Sequence, residues 1–172
     1  ESKMDFPVVL VAAALLAAVY SSKTESECKI EAKDQVAWQL VKAAQNAPLY
    51  LFNSTNNQSA TCSYLKVNET DDEKRNASLL AGVKEQLSAM SVVDNGNQLR
   101  LEDGPFITVL YTDNSTCAVI VAPDEEEISL YAAHNASERT SLNECCKKIF
   151  EREAKNASAT LYDKFSENCV KD

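Results

Sequence analysis

The chain has 172 residues, 45% of them hydrophobic, with 17 Lys and Arg against 26 Asp and Glu and a formal net charge of −9 at pH 7. An acidic surface disfavours nucleic acid and anionic membranes, which carry the same sign of charge. Three Gly and four Pro exclude collagen-like and low-complexity classes.

Pro7 to Tyr20 reads PVVLVAAALLAAVY, an apolar run too short to span a bilayer. Ser21 and Ser22 follow as small residues for cleavage, so residues 1–22 are predicted to be a secretory signal peptide, with Glu1–Lys3 upstream of Met4. What remains, residues 23–172, is about one domain's worth of chain. It has no second long apolar run, so membrane insertion is not expected, and it has no internal repeat. Lys23–Lys33 is polar and reads as an N-terminal arm tethered through Cys28. Asp34 can cap a short helix, Gln35–Gln45, with Ala37, Leu40, Val41 and Ala44 on one face. From Pro48 to Tyr131 the pattern changes to short β-prone runs. These are Tyr50–Ser54, Ala60–Val67, Ser78–Lys84, Gln86–Val93, Gln98–Leu101, Phe106–Thr112, Thr116–Ala122 and Glu127–Tyr131, with turn signals at Asn95-Gly96, Asp103-Gly104 and Asp113-Asn114. Ser141 and Glu144 then form a capping-box pattern. After it Leu142, Cys145, Cys146, Ile149 and Phe150 make an apolar helical stripe that must pack on something. Eight closely spaced strands and one packed helix outline an eight-stranded antiparallel lipocalin β-barrel with a short N-terminal helix and a C-terminal helix. Composition alone leaves a β-sandwich open.

Seven Asn-x-Ser/Thr sequons begin at Asn53, Asn57, Asn68, Asn76, Asn114, Asn135 and Asn156. Thirteen Asn, with Ser or Thr at about one position in seven, would give roughly two by chance. The excess points to glycosylation at these positions and to a secreted, extracellular protein, in a compartment where thiols are oxidised. The six cysteines allow fifteen pairings. Cys145 and Cys146 are helix neighbours whose side chains diverge by about 100°, so they should reach two different partners. A metal site is not expected, because His134 is the only histidine and no cysteines stand at ligand spacing. One His, no Gly-rich phosphate loop and no Ser/His/Asp order leave nothing to assemble for catalysis; no enzyme and no cofactor are expected.

Several runs resemble the tick salivary lipocalins, the group containing the histamine-binding proteins. Asp34–Trp38 (DQVAW) resembles the Asp-Ala-Trp signature of their N-terminal helix, and Ala60–Tyr64 (ATCSY) their first paired-cysteine strand. The Phe106 to Cys117 spacing, Asn143–Phe150 (NECCKKIF) and the closing Asn168-Cys169 resemble the six-cysteine, complement-inhibiting branch. The resemblance runs from about Cys28 to Cys169 and implies the pairs Cys62–Cys169, Cys117–Cys146 and Cys28–Cys145. With its sequons the chain looks closest to the Japanin type, glycosylated members that modulate dendritic cells and bind cholesterol.

The same resemblance implies what the barrel holds. Amine binders of the family carry Asp after the first cysteine of the strand pair, Glu-Leu-aromatic on the next strand, and Asp two after the strand aromatic; here these positions are Ala118, Ser129-Leu130-Tyr131 and Thr108. No Arg or His flanks Cys117, and Ala60 stands where an Arg would help an anionic lipid. A neutral, apolar lumen is therefore expected. A glycan on Asn53 would turn Tyr50 and Phe52 inward, and the family register would turn Phe106, Thr108, Leu110, Ala118, Ile120, Ser129 and Tyr131 inward, with Leu79, Val83, Leu87 and Met90 from the central hairpin. Trp38 lines or closes one end. Asp124–Glu127 (DEEE) reads as a solvated loop and His134 as an exposed loop residue. The expected ligand is a small hydrophobic molecule, a sterol such as cholesterol, carried by a monomer that modulates host immune cells. The alternatives are a complement-binding or other protein-binding inhibitor acting through its surface, and an amine scavenger in which Asp34 or Glu85 replaces the lost carboxylates.

Overall fold

The structure, a computed structural model, describes residues 28–102, 104–122, 127–133 and 142–170. The predicted signal peptide, Asp124–Glu126, His134, Asn135 and Ser141 lie outside the described residues. Among the described residues, no helix is long and apolar enough to cross a membrane.

After a 3-10 turn at Ala32–Asp34, helix α1 spans Ala37–Asn46. It starts two residues later than the cap pattern predicts, because Asp34 is spent in the turn, where its carboxylate accepts the Glu31 N–H at 3.0 Å. Eight strands follow: β1 Leu49–Ser54, β2 Tyr64–Asp71, β3 Asn76–Val83, β4 Gln86–Asn95, β5 Gln98–Leu101, β6 Phe106–Thr112, β7 Cys117–Val121 and β8 Ile128–Ala133. Helix α2, Glu144–Asn156, and a two-residue strand β9, Tyr162–Asp163, complete the chain before a last 3-10 turn at Glu167–Val170. Each strand pairs antiparallel with the next from β2 to β8, and β8 pairs with β1. Leu49 opposite Leu65 and Tyr50 opposite Tyr64 close the barrel. The outer half of β1 leaves β2 and pairs with β9 instead, Asn53 opposite Asp163.

Apolar residues lie on both faces of the wall. Inside, α1 plugs one end, and Trp38, Leu40 and Val41 join Leu49, Leu79, Val92, Leu99, Val109 and Ile120 in one core. Outside, α2 covers β7 and β8 with Ile149 and Phe150 against Val119, Leu130 and Ala132. The tail adds Phe165, stacked on Phe52 at 4.3 Å between ring centroids. Asn143, rather than Ser141, is the observed N-cap of α2: its side chain accepts the Cys145 N–H at 2.9 Å.

The disulfides are Cys28–Cys145, Cys62–Cys169 and Cys117–Cys146. The adjacent helix cysteines thus bolt α2 to the N-terminal arm on one side and to β7 on the other. Cys62 has a left-handed backbone, φ 62°, which delays β2 to Tyr64 where the β-prone run predicted a start at Ala60. Gly82 also has positive φ, 137°, and a Cβ there would stand 2.2 Å from the Gln86 carbonyl oxygen; only glycine fits this close approach at the β3–β4 hairpin.

The β6–β7 turn is held by Asp113. Its Oδ1 accepts the backbone N–H groups of Ser115, Thr116 and Cys117 at 3.0, 2.7 and 3.0 Å, and its Oδ2 accepts from Asn143 Nδ2 at 3.3 Å. Burial pushes its pKa up, but the bonds from Thr116, Cys117 and Ser115 outweigh that and hold the carboxyl below the usual Asp value. Asp113→Ala should cost about 2 kcal/mol in urea unfolding, since several N–H groups lose their acceptor at once. Because the folded pKa is depressed, this contribution is present above the ordinary Asp value and disappears as pH falls through the folded one.

Candidate functional site

The barrel encloses a cavity of about 180 Å³ that starts at Leu40 on the α1 plug. Its walls are mostly aliphatic: Leu65, Leu79, Ala81, Met90, Leu101, Ile107, Ile120 and Ala122. Three polar side chains break this lining, and all come from one strand edge: Glu127, Ser129 and Tyr131. Their spacing is the two-residue period of a strand, which sends alternate side chains to one face.

Glu127 sits just before β8 and is half-buried. Its Oε1 accepts hydrogen bonds from the hydroxyls of Ser54 at 2.7 Å, Ser59 at 2.6 Å and Ser129 at 2.9 Å, and its Oε2 accepts from Asn56 Nδ2 at 3.3 Å. Burial alone would raise its pKa, but the four bonds, from Ser59, Ser54, Ser129 and Asn56, outweigh burial and keep the carboxyl below the ordinary Glu value. These donors are all neutral. They stabilise the negative charge without cancelling it, so an ionised carboxylate faces a mostly apolar chamber. Opposite in character is Tyr131, whose hydroxyl pKa is pushed up to about 12 by burial and then by the charge of Glu127. It stays protonated and remains a donor at any physiological pH.

The same carboxylate anchors the β1–β2 loop to the start of β8. Besides the Ser54, Asn56 and Ser59 bonds, Thr55 exchanges two bonds with Ile128: its N–H donates to the Ile128 carbonyl at 3.0 Å, and its Oγ1 accepts the Ile128 N–H at 2.9 Å. Lys164, buried, donates from Nζ to the Asn57 carbonyl at 2.9 Å from the other side. Fixed dipoles of this kind hold a charge in place at little reorganisation cost.

Of the residues expected inside, Leu79, Met90, Ile120, Ser129 and Tyr131 line the cavity. Ala118 lies in the inner core opposite Tyr131 but not at the cavity surface. Trp38 packs in the α1 plug, with Lys42 Nζ 5.9 Å from its ring centroid, and Leu40 is the plug residue that reaches the cavity. Val83 shares the face of Leu79 and Ala81 near the turn, yet does not reach the cavity.

Six expected residues point elsewhere. Tyr50 and Phe52 face out onto the tail, Tyr50 with its ring 5.6 Å from Phe165. A bulge between Leu51 and Asn53 lets Phe52 and Asn53 both sit outside, so an outward Asn53 does not turn Phe52 inward. On β6 the register is reversed: Ile107 and Val109 face in, Phe106 is 38% exposed, Thr108 accepts from Gln98 Nε2 at 3.1 Å, and Leu110 packs on the outer core. Leu87 pairs with Gly82, on the face opposite Leu79 and Met90. Asp34 and Glu85 are absent from the cavity lining. Among the described residues the charged member of the lining is Glu127, in contrast to the solvated loop that the run Asp124–Glu127 predicts. Among the described residues, no His, Cys, Asp or Glu cluster could hold a metal ion.

The sequence profile of the family described as tick histamine binding protein matches residues 85–171, half of the chain. The chain belongs to the tick histamine-binding protein family. No curated protein matches it in sequence. Among solved structures it is similar to AM182 in its serotonin complex, with a TM-score of 0.65 and 22% identity over 78% of this chain and 92% of that one. It is also similar to the siderocalin Ex-FABP, described as functioning through dual ligand specificities, with a TM-score of 0.52 and 15% identity over 70% and 93%. At these identities the likenesses establish the lipocalin barrel and nothing finer. As a member of the histamine-binding protein family the chain is a ligand-binding lipocalin, not an enzyme. Glu127 stands two residues before Ser129, just ahead of β8, and lines the same cavity as Ser129 and Tyr131.

Proposed function

We propose that this lipocalin is a secreted carrier of a small organic cation, held in the barrel with its ammonium end at Glu127 and its apolar body against Leu79, Met90, Leu101 and Ile120. The observation that carries the reading is an ionised carboxylate, held among the described residues by neutral donors, in the wall of an apolar chamber. A cation entering such a chamber loses water and needs a fixed opposite charge to compensate. Tyr131 and Ser129 add hydroxyls beside that charge, suited to orienting a polar ring substituent or a second nitrogen. A biogenic amine such as serotonin or histamine has this shape and charge. Three disulfides and the family support secretion.

Size supports an amine over the sterol expected from the Japanin-type resemblance. The cavity, about 180 Å³, is smaller than the roughly 300 Å³ at which pockets for drug-sized ligands begin. A sterol would have to displace the α1 plug or the walls, and would leave the Glu127 charge facing its hydrocarbon. Native mass spectrometry of the secreted protein, with added cholesterol, should therefore show no retained sterol; a stoichiometric sterol adduct would overturn the reading.

The pH profile follows from the same group. The ligand is a cation throughout the neutral range, Tyr131 stays neutral, and Glu127 keeps its charge above a depressed pKa. Serotonin has no group titrating between pH 5 and 8, so its affinity should be flat over that range and fall only as pH drops below the ordinary Glu value of about 4.3. Calorimetric titration across this range checks it; a midpoint near 6 would contradict it.

A further inference from the structure

A second pocket lies on the outer wall, away from the lumen. It has a volume of about 220 Å³ and is set between β1, α2 and the segment leading into β9. Phe52 and Phe150, both buried, form its floor, and Leu161 forms an apolar rim that is 44% exposed. Lys147 and Glu151 supply charged groups on the helix side. Asn53, the first residue of the sequon Asn53-Ser54-Thr55, stands in the lining itself.

The Asn53 side chain is already oriented. Its Nδ2 donates one hydrogen to Asp163 Oδ1 at 2.7 Å across the β1–β9 ladder. A primary amide has two such hydrogens, and N-glycosylation replaces one. The bond to Asp163 can persist on the other, and it then fixes the plane in which the sugar leaves the amide.

We propose that Asn53 carries an N-linked glycan whose first N-acetylglucosamine is seated in this pocket, its ring against Leu161 and its hydroxyls toward Lys147 and Glu151. The transfer needs a lipid-pyrophosphate-linked oligosaccharide as donor. Asn53 Nδ2 attacks the sugar C1, the N–C1 bond forms, the C1–O bond to the pyrophosphate breaks, and the amide gives up one proton as the lipid pyrophosphate departs. It must precede folding, because Ser54 is fully buried in the fold and Thr55 Oγ1 is engaged by the Ile128 N–H. The closing barrel then receives the sugar already attached. The exposed sequon residues Asn57, Asn68, Asn114 and Asn156 are internal controls.

The inference rests on passage through the secretory pathway, part of the reading above. The test is glycopeptide mapping of protein secreted from insect cells, during timed digestion of the native protein with peptide-N-glycosidase. Asn53 should be occupied and released at least ~10-fold more slowly than the control sites, as expected for a group reached only after local opening. Leu161→Ser should bring its release close to the control rate. Glycans at the control sites with Asn53 bare would overturn the seated glycan and leave secretion standing. No glycan at any sequon would overturn both. Release of Asn53 at the control rate, or protection unchanged in Leu161→Ser, would overturn the seating.

Discussion

Replacing Glu127 by Gln should weaken amine binding about 100-fold, roughly 3 kcal/mol, because a buried charge on the ligand is then left without its partner. The substitution keeps the side chain's length and an acceptor oxygen for the hydroxyls of Ser54, Ser59 and Ser129, which can also turn to accept. The fold should therefore survive with a small loss of stability, and the affinity change reports the charge itself. Glu127→Asp keeps the charge but withdraws it by one methylene from the three hydroxyls, and should fall between the two. Calorimetry on the three proteins reads the series. Equal affinity in wild type and Glu127→Gln would remove the carboxylate from the site, whatever the ligand.

The largest effect on stability is expected at Phe150. It is 1% exposed and packs with Ile149 between α2 and the outer wall of β7 and β8. Phe150→Ala should cost about 3–5 kcal/mol, the lost burial plus the cavity left behind. That is a large share of the ~5–15 kcal/mol by which ordinary domains are stable. Two disulfides fix α2 in place, so the walls of the new void have little freedom to collapse into it. Urea unfolding measures the loss. The lumen lies on the other side of the wall, so the amine affinity of the folded fraction should stay within about twofold, as expected for sites without shared partners. A parallel loss of affinity would show that the helix layer and the lumen are coupled.

These outcomes also mark where the sequence was informative. The strands and their order follow from short β-prone runs between turn signals, the two helices follow from apolar stripes of helical period, and β5 and β6 have the boundaries their residues predict. The facing of β7 and β8 agrees with the register that the family resemblance implies, with Ala118, Ile120, Ser129 and Tyr131 inward. The facing of β1 and β6 does not, for a shared physical reason. Each is covered on both sides, by the lumen core within and by the tail or α2 without. LYLFNS and FITVLYT are therefore apolar at both parities, and alternation has nothing to report. A bulge in each strand's pairing then shifts the count by one.

Glu127 is a different case, because its signal was present. It stands two residues before Ser129 and four before Tyr131, so a strand starting at Glu127 with those two facing in must turn Glu127 in as well. Membership in the run Asp124–Glu127 disguised it as one more solvated charge. What the sequence could not contain is the set of hydroxyls that keeps it ionised, since Ser54, Asn56 and Ser59 lie about seventy positions away and meet it only when β1 pairs with β8.

The most direct measurement compares serotonin with its uncharged alcohol analogue, in which a hydroxyl replaces the amine, by calorimetry at neutral pH. The two share a ring and differ in the charge that Glu127 would meet. Micromolar or tighter binding of the amine, with the alcohol at least ~100-fold weaker, is the result expected from a charge-paired site. Equal binding of the two, or preference for the alcohol, would contradict it.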